Sequence, residues 1–123
     1  MSFKPTDSEL EILQILWENG PSNVRFVNDK LNEAREVGYT TTLKIMQIMA
    51  EKNLVSRNTD SRTHIYSAAV DETEARKNLL EKFVDTTFRG SAMSLVMQAL
   101  GNHDASTEEL DEIKALIKKL EEK

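Results

Sequence analysis

Thr40, Thr41 and Thr42 stand in a row, with Lys44 and Gln47 close behind. Hydroxyls, an ammonium and a carboxamide so near one another make a dense set of hydrogen-bond donors and acceptors, without a nucleophile and its base. Arg57 and Arg62 follow and add positive charge, with His64 nearby. Side chains of these kinds suit recognition of a polar, anionic surface. The rest of the chain offers catalysis little. It has no cysteine, which removes thiolate nucleophiles, disulfides and cysteine-based zinc or copper sites together. Its two histidines, His64 and His103, are far apart and lack carboxylates at metal-ligand spacing, and its four glycines form no phosphate-cradling loop. No enzyme, cofactor or metal site is therefore expected.

Each candidate also has a plainer reading. Threonine hydroxyls bond nearby backbone N–H groups, so at least one of Thr40–Thr42 is expected to serve its own helix. Lys44 and Gln47 also read as solvated positions, and Arg57 and Arg62 as residues that keep a turn soluble. His64 near Tyr66 reads as structural or phosphate-contacting, and His103 near Gly101 as a loop residue.

The charge balance bears on the partner. A net charge of −5 over 123 residues counts against nucleic acid, because phosphate contacts need Lys and Arg. The distribution is uneven, however. Residues 1–70 hold eight basic against nine acidic side chains, residues 71–123 eight against twelve, and within residues 37–69 Lys44, Lys52, Arg57 and Arg62 outnumber Glu51 and Asp60. If a duplex is bound, that stretch must touch it. The opening Met1-Ser2-Phe3-Lys4-Pro5 has no basic-then-apolar leader, and no apolar run approaches the ~18 residues of a membrane span. A cytoplasmic chain without membrane insertion is expected.

The elements that would position these residues are legible in the pattern. Thr6-Asp7-Ser8-Glu9 has the form of a capping box, and Leu10, Leu13 and Trp17, widened by Ile12, Ile15 and Leu16, predict a mostly buried helix ending at Asn19-Gly20-Pro21. Trp17 reads as a core anchor. Ser22 or Asn23 caps a second helix with the stripe Val24, Val27 and Leu31, before a break at Gly38; Phe26 lies off that stripe and is expected half-buried. A third helix runs from residue 39 to about 52, with Thr42, Ile45, Met46 and Met49 on one side and Thr41, Lys44 and Gln47 or Ile48 on another. Residues 54–57 and 63–67 read as strands joined by a turn over 58–62. Three helices and a hairpin in this order predict a winged helix-turn-helix.

The stretch 71–123 predicts three helices separated by glycines. Asp71-Glu72-Thr73-Glu74 opens the first, Ser91 caps the second, and Ser106-Thr107-Glu108-Glu109 opens the last. Their stripes supply Leu79, Leu80, Phe83, Val84 and Phe88, then Leu95, Val96 and Leu100, then Leu110, Ile113, Leu116, Ile117 and Leu120. A small finished head cannot hide all of these, so they are expected at a dimer interface. A second copy is the economical partner, a different protein the alternative. The expected fold class is mainly α with a small β-hairpin wing: a winged helix-turn-helix over 1–70 and a three-helix dimerisation region over 71–123.

Glu9-Leu10-x-Ile12-Leu13-x-x-Leu16-Trp17, Gly20-Pro21, Val24-Arg25-x-Val27, Tyr39-Thr40-Thr41, Leu43, Lys52-x-Leu54-Val55-x-Arg57, Arg62 and Tyr66 together resemble the penicillinase-repressor family, of the BlaI/MecI/CopY type. The resemblance implies a homodimeric repressor on a palindromic DNA operator. It also implies, from antibiotic-sensing members, a membrane sensor-protease system that cuts the tail between Asn and Phe. The matching stretch here is Ser94-Leu95-Val96-Met97-Gln98-Ala99, which makes Met97, Gln98 and Ala99 the candidate cleavage segment. Gln98 and Ala99 replace the Asn–Phe pair, a departure that counts against both cleavage and a β-lactam signal. Copper-sensing relatives carry a C-terminal cysteine cluster that this chain lacks.

Only the major groove shows all base pairs distinctly, and it admits one α-helix. The third helix would enter it, with Lys44 and Gln47 reading bases, Thr40, Thr41 and Thr42 meeting phosphates or thymine methyls, and Arg57, Arg62 and His64 along the backbone or minor groove. The competing function is a winged-helix protein-interaction module without DNA binding, which the acidic balance favours.

Overall fold

The computed structural model describes residues 4–60 and 62–123; Met1–Phe3 of the opening and Ser61 of the expected turn lie outside the described residues. The chain forms two compact units, Met1–Leu79 and Leu80–Lys123.

In the first unit, α1 (Asp7–Asn19) begins at the expected capping box: the Thr6 hydroxyl accepts from the Glu9 N–H at 3.1 Å, and the Glu9 carboxylate accepts from the Thr6 N–H at 2.8 Å. It stops at Gly20, whose φ of 80° favours a residue without a Cβ. The pair Ser22–Asn23 then makes a short strand, β1, and Asn23 caps α2 (Val24–Leu31) by accepting from the Phe26 N–H. The α3 helix (Tyr39–Glu51) starts at Gly38 and ends before Asn53, which takes a left-handed φ of 64° and turns the chain into the sheet. Strands β2 (Val55–Asn58) and β3 (Ile65–Ala68) pair antiparallel, with Arg57 opposite Tyr66.

The expected two-stranded hairpin is one edge of a three-stranded sheet, ordered β1-β3-β2, in which Ser22 pairs with Tyr66 and Asn23 with Ile65. This third strand ties the start of α2 to the wing. The fold is otherwise the expected one, mainly helical with a small antiparallel sheet.

The core is where the stripes placed it. Ile12, Leu13, Val27, Met46 and Met49 are fully buried, and Tyr66 is 1% exposed. Trp17 is half-buried against them, its indole N–H donating to the Val70 carbonyl at 3.0 Å. Phe26 is half-buried with the Lys30 ammonium over its ring.

In the second unit, Ser91 caps α5 (Ala92–Gly101) and a capping box of Ser106 and Glu109 opens α6 (Thr107–Glu121), both as expected. The division between units falls inside α4 (Glu72–Thr87). Phe83 and Phe88 meet edge to face, with ring centroids 5.7 Å apart. The Ser106 N–H and then His103 hold the Glu109 carboxyl below its ordinary pKa, the histidine Nε2 lying 3.1 Å from Oε2.

Candidate nucleic-acid interface

The α3 helix turns two faces in opposite directions. Its inner face carries Thr42, Met46 and Met49, all buried, and its outer face Thr40, Thr41, Lys44 and Gln47, all exposed. Spacing explains the division: residues 40, 44 and 47, like 42, 46 and 49, recur at helical intervals.

Thr42 therefore leaves the set of expected DNA contacts. It has no exposed surface; its hydroxyl accepts from the Asn28 carboxamide at 2.9 Å and donates to the Gly38 carbonyl at 3.3 Å. The same Asn28 nitrogen donates to the Val37 carbonyl at 3.0 Å, while Asn32 bonds the Val37 N–H and carbonyl. One polar cluster, buried at Asn28 and Thr42 and exposed at Asn32, thus fixes the turn between α2 and α3, and no buried side-chain nitrogen or oxygen among the described residues lacks a partner. Of the three threonines, this is the one that serves the backbone.

The basic residues fall into separate places. Arg62 and His64 line a cleft of about 340 Å³ together with Arg25, Tyr39, Leu43 and Tyr66. Arg57 is not there. It lies on β2 beside a second depression shared with Gln47 and Glu51. Lys52, counted with the positive stretch, is engaged elsewhere: its ammonium lies 2.9 and 3.0 Å from the two oxygens of Glu9. Glu9 is only 3% exposed, and burial pushes its carboxyl up, but the Thr6 N–H and Lys52 together outweigh burial and hold it below its ordinary pKa. By contrast, Lys44, Arg25, Arg57 and Arg62 make no ion pair among the described residues.

Two residues of this surface escaped the sequence reading. The Arg25 guanidinium lies 4.8 Å from the centre of the Tyr39 ring, which joins the first turns of α2 and α3. The clue was available: a cation in the first turn opposes the helix dipole, so Arg25 just after the Asn23 cap called for another role. Neither α2 nor α3 has an acidic residue in its first turn, whereas α1, α4 and α6 do. Gly38 provides no side-chain cap, so the leading N–H groups of α3 have no such bond.

Within the second unit, Leu80, Phe83, Val96, Leu100, Leu110, Leu116, Ile117 and Leu120 are exposed, from 42% at Leu100 to 55% at Leu116. Phe88, Leu95 and Ile113 are half-buried, as is Leu79 at the end of the first unit. Val84 is a correction to the expected interface: only 8% exposed, it is already covered within its own chain. Met97, Gln98 and Ala99 are exposed and helical, within α5. No helix among the described residues is long and apolar enough to cross a membrane.

A sequence model of the family described as penicillinase repressor matches residues 5–119. The transcriptional regulator BlaI of Mycobacterium tuberculosis (strain H37Rv) is 30% identical over 104 residues, covering 80% of this chain and 75% of that one. The methicillin resistance regulatory protein MecI of Mammaliicoccus sciuri is 19% identical over 118 residues, 96% of each chain. In structure, the chain is similar to the DNA binding domain of the repressor BlaI, with a TM-score of 0.52 at 21% identity, over 60% of this chain and 93% of that one.

Proposed function

The chain belongs to the penicillinase repressor family, and from that premise we propose that it is a transcriptional repressor, binding a palindromic operator sequence-specifically as a homodimer. The observation that carries this reading is the outward face of α3, where Thr40, Thr41, Lys44 and Gln47 are exposed while Thr42 is anchored behind them. Lys44 and Gln47 read base edges in the major groove, and Thr40 and Thr41 meet phosphate oxygens or thymine methyls. Arg57, Arg62 and His64 set the position of the head on the backbone. The names of the relatives and the likeness to a repressor's DNA binding domain support the same reading.

Because the whole chain is acidic, at −5, and its head has no excess of basic over acidic side chains, one head alone binds weakly. Joining two heads makes the second contact intramolecular and multiplies affinity. The exposed apolar side chains of the second unit supply the surface for that pairing, which closes as a twofold dimer. Loss of the pairing ends repression. A cut at Met97, Gln98 or Ala99 by a membrane sensor-protease system would do so by severing α6, but Gln98 and Ala99 in place of the Asn–Phe pair count against that route here, and α5 would have to open before a protease could take this helical segment as an extended strand.

Titrating a labelled duplex from the DNA upstream of its own gene, followed by anisotropy at several salt concentrations, tests the proposal. Saturable binding that weakens steeply with salt is expected, and Lys44→Ala should weaken it by about 1–3 kcal/mol on the specific site and relax its sequence preference. Only weak, sequence-blind association by an intact dimer would refute the repressor reading and favour an interaction module.

A further inference from the structure

We infer that the cleft between the first turns of α2 and α3 and the wing seats one sugar–phosphate unit of the duplex backbone, with Arg25 as its clamp and Tyr39 as the residue that positions the clamp. The inference rests on the repressor reading and adds to it a contact made by α2.

The cleft is built of two kinds of surface. Tyr39, Leu43 and Tyr66 give it an aromatic and aliphatic lining, Arg25 and Arg62 give it cations, and His64 adds an imidazole. Such a pairing matches a deoxyribose, whose carbon face needs apolar contact, joined to a phosphodiester, which needs N–H donors. A guanidinium suits the second task because its donors sit in a fixed planar fork. Arg25 is exposed and held at 4.8 Å over the Tyr39 ring, and no ion pair among the described residues uses its charge. Stacking therefore fixes the group while leaving its charge unspent. Tyr39 immediately precedes Thr40, so the cleft adjoins the outward face of α3. A phosphate held there would set how far the helix enters the groove.

The test measures salt dependence on two duplexes of equal length, one from the DNA upstream of the gene and one with that sequence scrambled. Arg25→Met should lower affinity for both by about the same factor, roughly tenfold, and reduce the slope of log affinity against log salt by about 1. Tyr39→Leu should reproduce part of that loss, and Tyr39→Phe, which keeps the ring, should retain wild-type binding. Arg25 is exposed, and unchanged thermal melting of each variant establishes that the head is folded. If the wild type binds its duplex but the Arg25→Met slope stays at the wild-type value, the clamp is wrong and the repressor reading stands. If the wild type binds neither duplex, both fall. Inorganic phosphate at matched ionic strength should leave wild-type affinity unchanged; competition that disappears in Arg25→Met would make the cleft a free-anion site and overturn the sugar–phosphate assignment.

Discussion

Replacing Thr42 by valine separates a threonine that builds the head from those that face outward. Valine keeps the volume and β-branching, so no cavity term arises. What is lost is the oxygen. The Asn28 carboxamide keeps its bond to the Val37 carbonyl but loses its acceptor in Thr42, while the Gly38 carbonyl still receives the residue-42 backbone N–H at 3.1 Å. One buried N–H is therefore orphaned, which costs about 1–3 kcal/mol. For a unit of this size each kcal/mol lowers the melting temperature by roughly 4–8 °C. Trp17, the single tryptophan, packs against the core and bonds Val70, so its fluorescence follows the melting of the first unit. Thr42→Val should melt at least about 4 °C below wild type, and where it remains folded it should keep the salt slope of DNA binding. Thr41→Val, on an exposed position, should stay within about 0.5 kcal/mol in stability and lose affinity instead. Wild-type melting of Thr42→Val, or the opposite assignment of the two losses, would refute the reasoning.

Further outcomes follow from the ion pair and the apolar faces. Glu9 has a folded pKa below its ordinary 4.5, so its contribution is present above that value and is lost as pH falls through the folded pKa. Melting curves of wild type and Glu9→Gln should accordingly differ most near neutrality and converge on acidification. Lys52→Met should destabilise the head by about 1–3 kcal/mol, as it leaves Glu9 without its cation, yet leave the salt slope of DNA binding unchanged because that charge is already spent. Ile117→Glu, on the exposed stripe of α6, should shift sedimentation towards the monomer and lower operator affinity without altering the melting of the Trp17 unit.

Features determined within a turn of helix were legible in the sequence; features that depend on distant neighbours were not. The capping boxes at Thr6 and Ser106 join residues three apart, so spacing alone reveals them. The core stripes of α1 and α2 follow likewise from periodicity. Strand β1 is two residues long, and its partner Tyr66 lies far along the chain, so no local pattern announces it. Lys52 read as a free cation for the same reason, since the Glu9 that takes its charge is at the other end of the head. Among the three threonines, chemical identity hid a difference of direction: successive residues on a helix point about 100° apart, and only Thr42 faces Asn28. Arg25 drew no contact of its own from the sequence because Tyr39, which reveals its place, belongs to another helix.

Gly38 offers a lesson for anyone stabilising this protein. Its φ of −72° is ordinary and a Cβ there would meet nothing within 4 Å, so the backbone has no need of glycine. An engineer would install aspartate, gaining about 0.5 kcal/mol from the new cap and the helix dipole. On the proposed reading of α3 as the helix that meets DNA, that improvement would set a fixed anion against a polyanion. The sturdier molecule would be the quieter one, and the missing side chain is better understood as a doorway kept clear than as an unfinished helix.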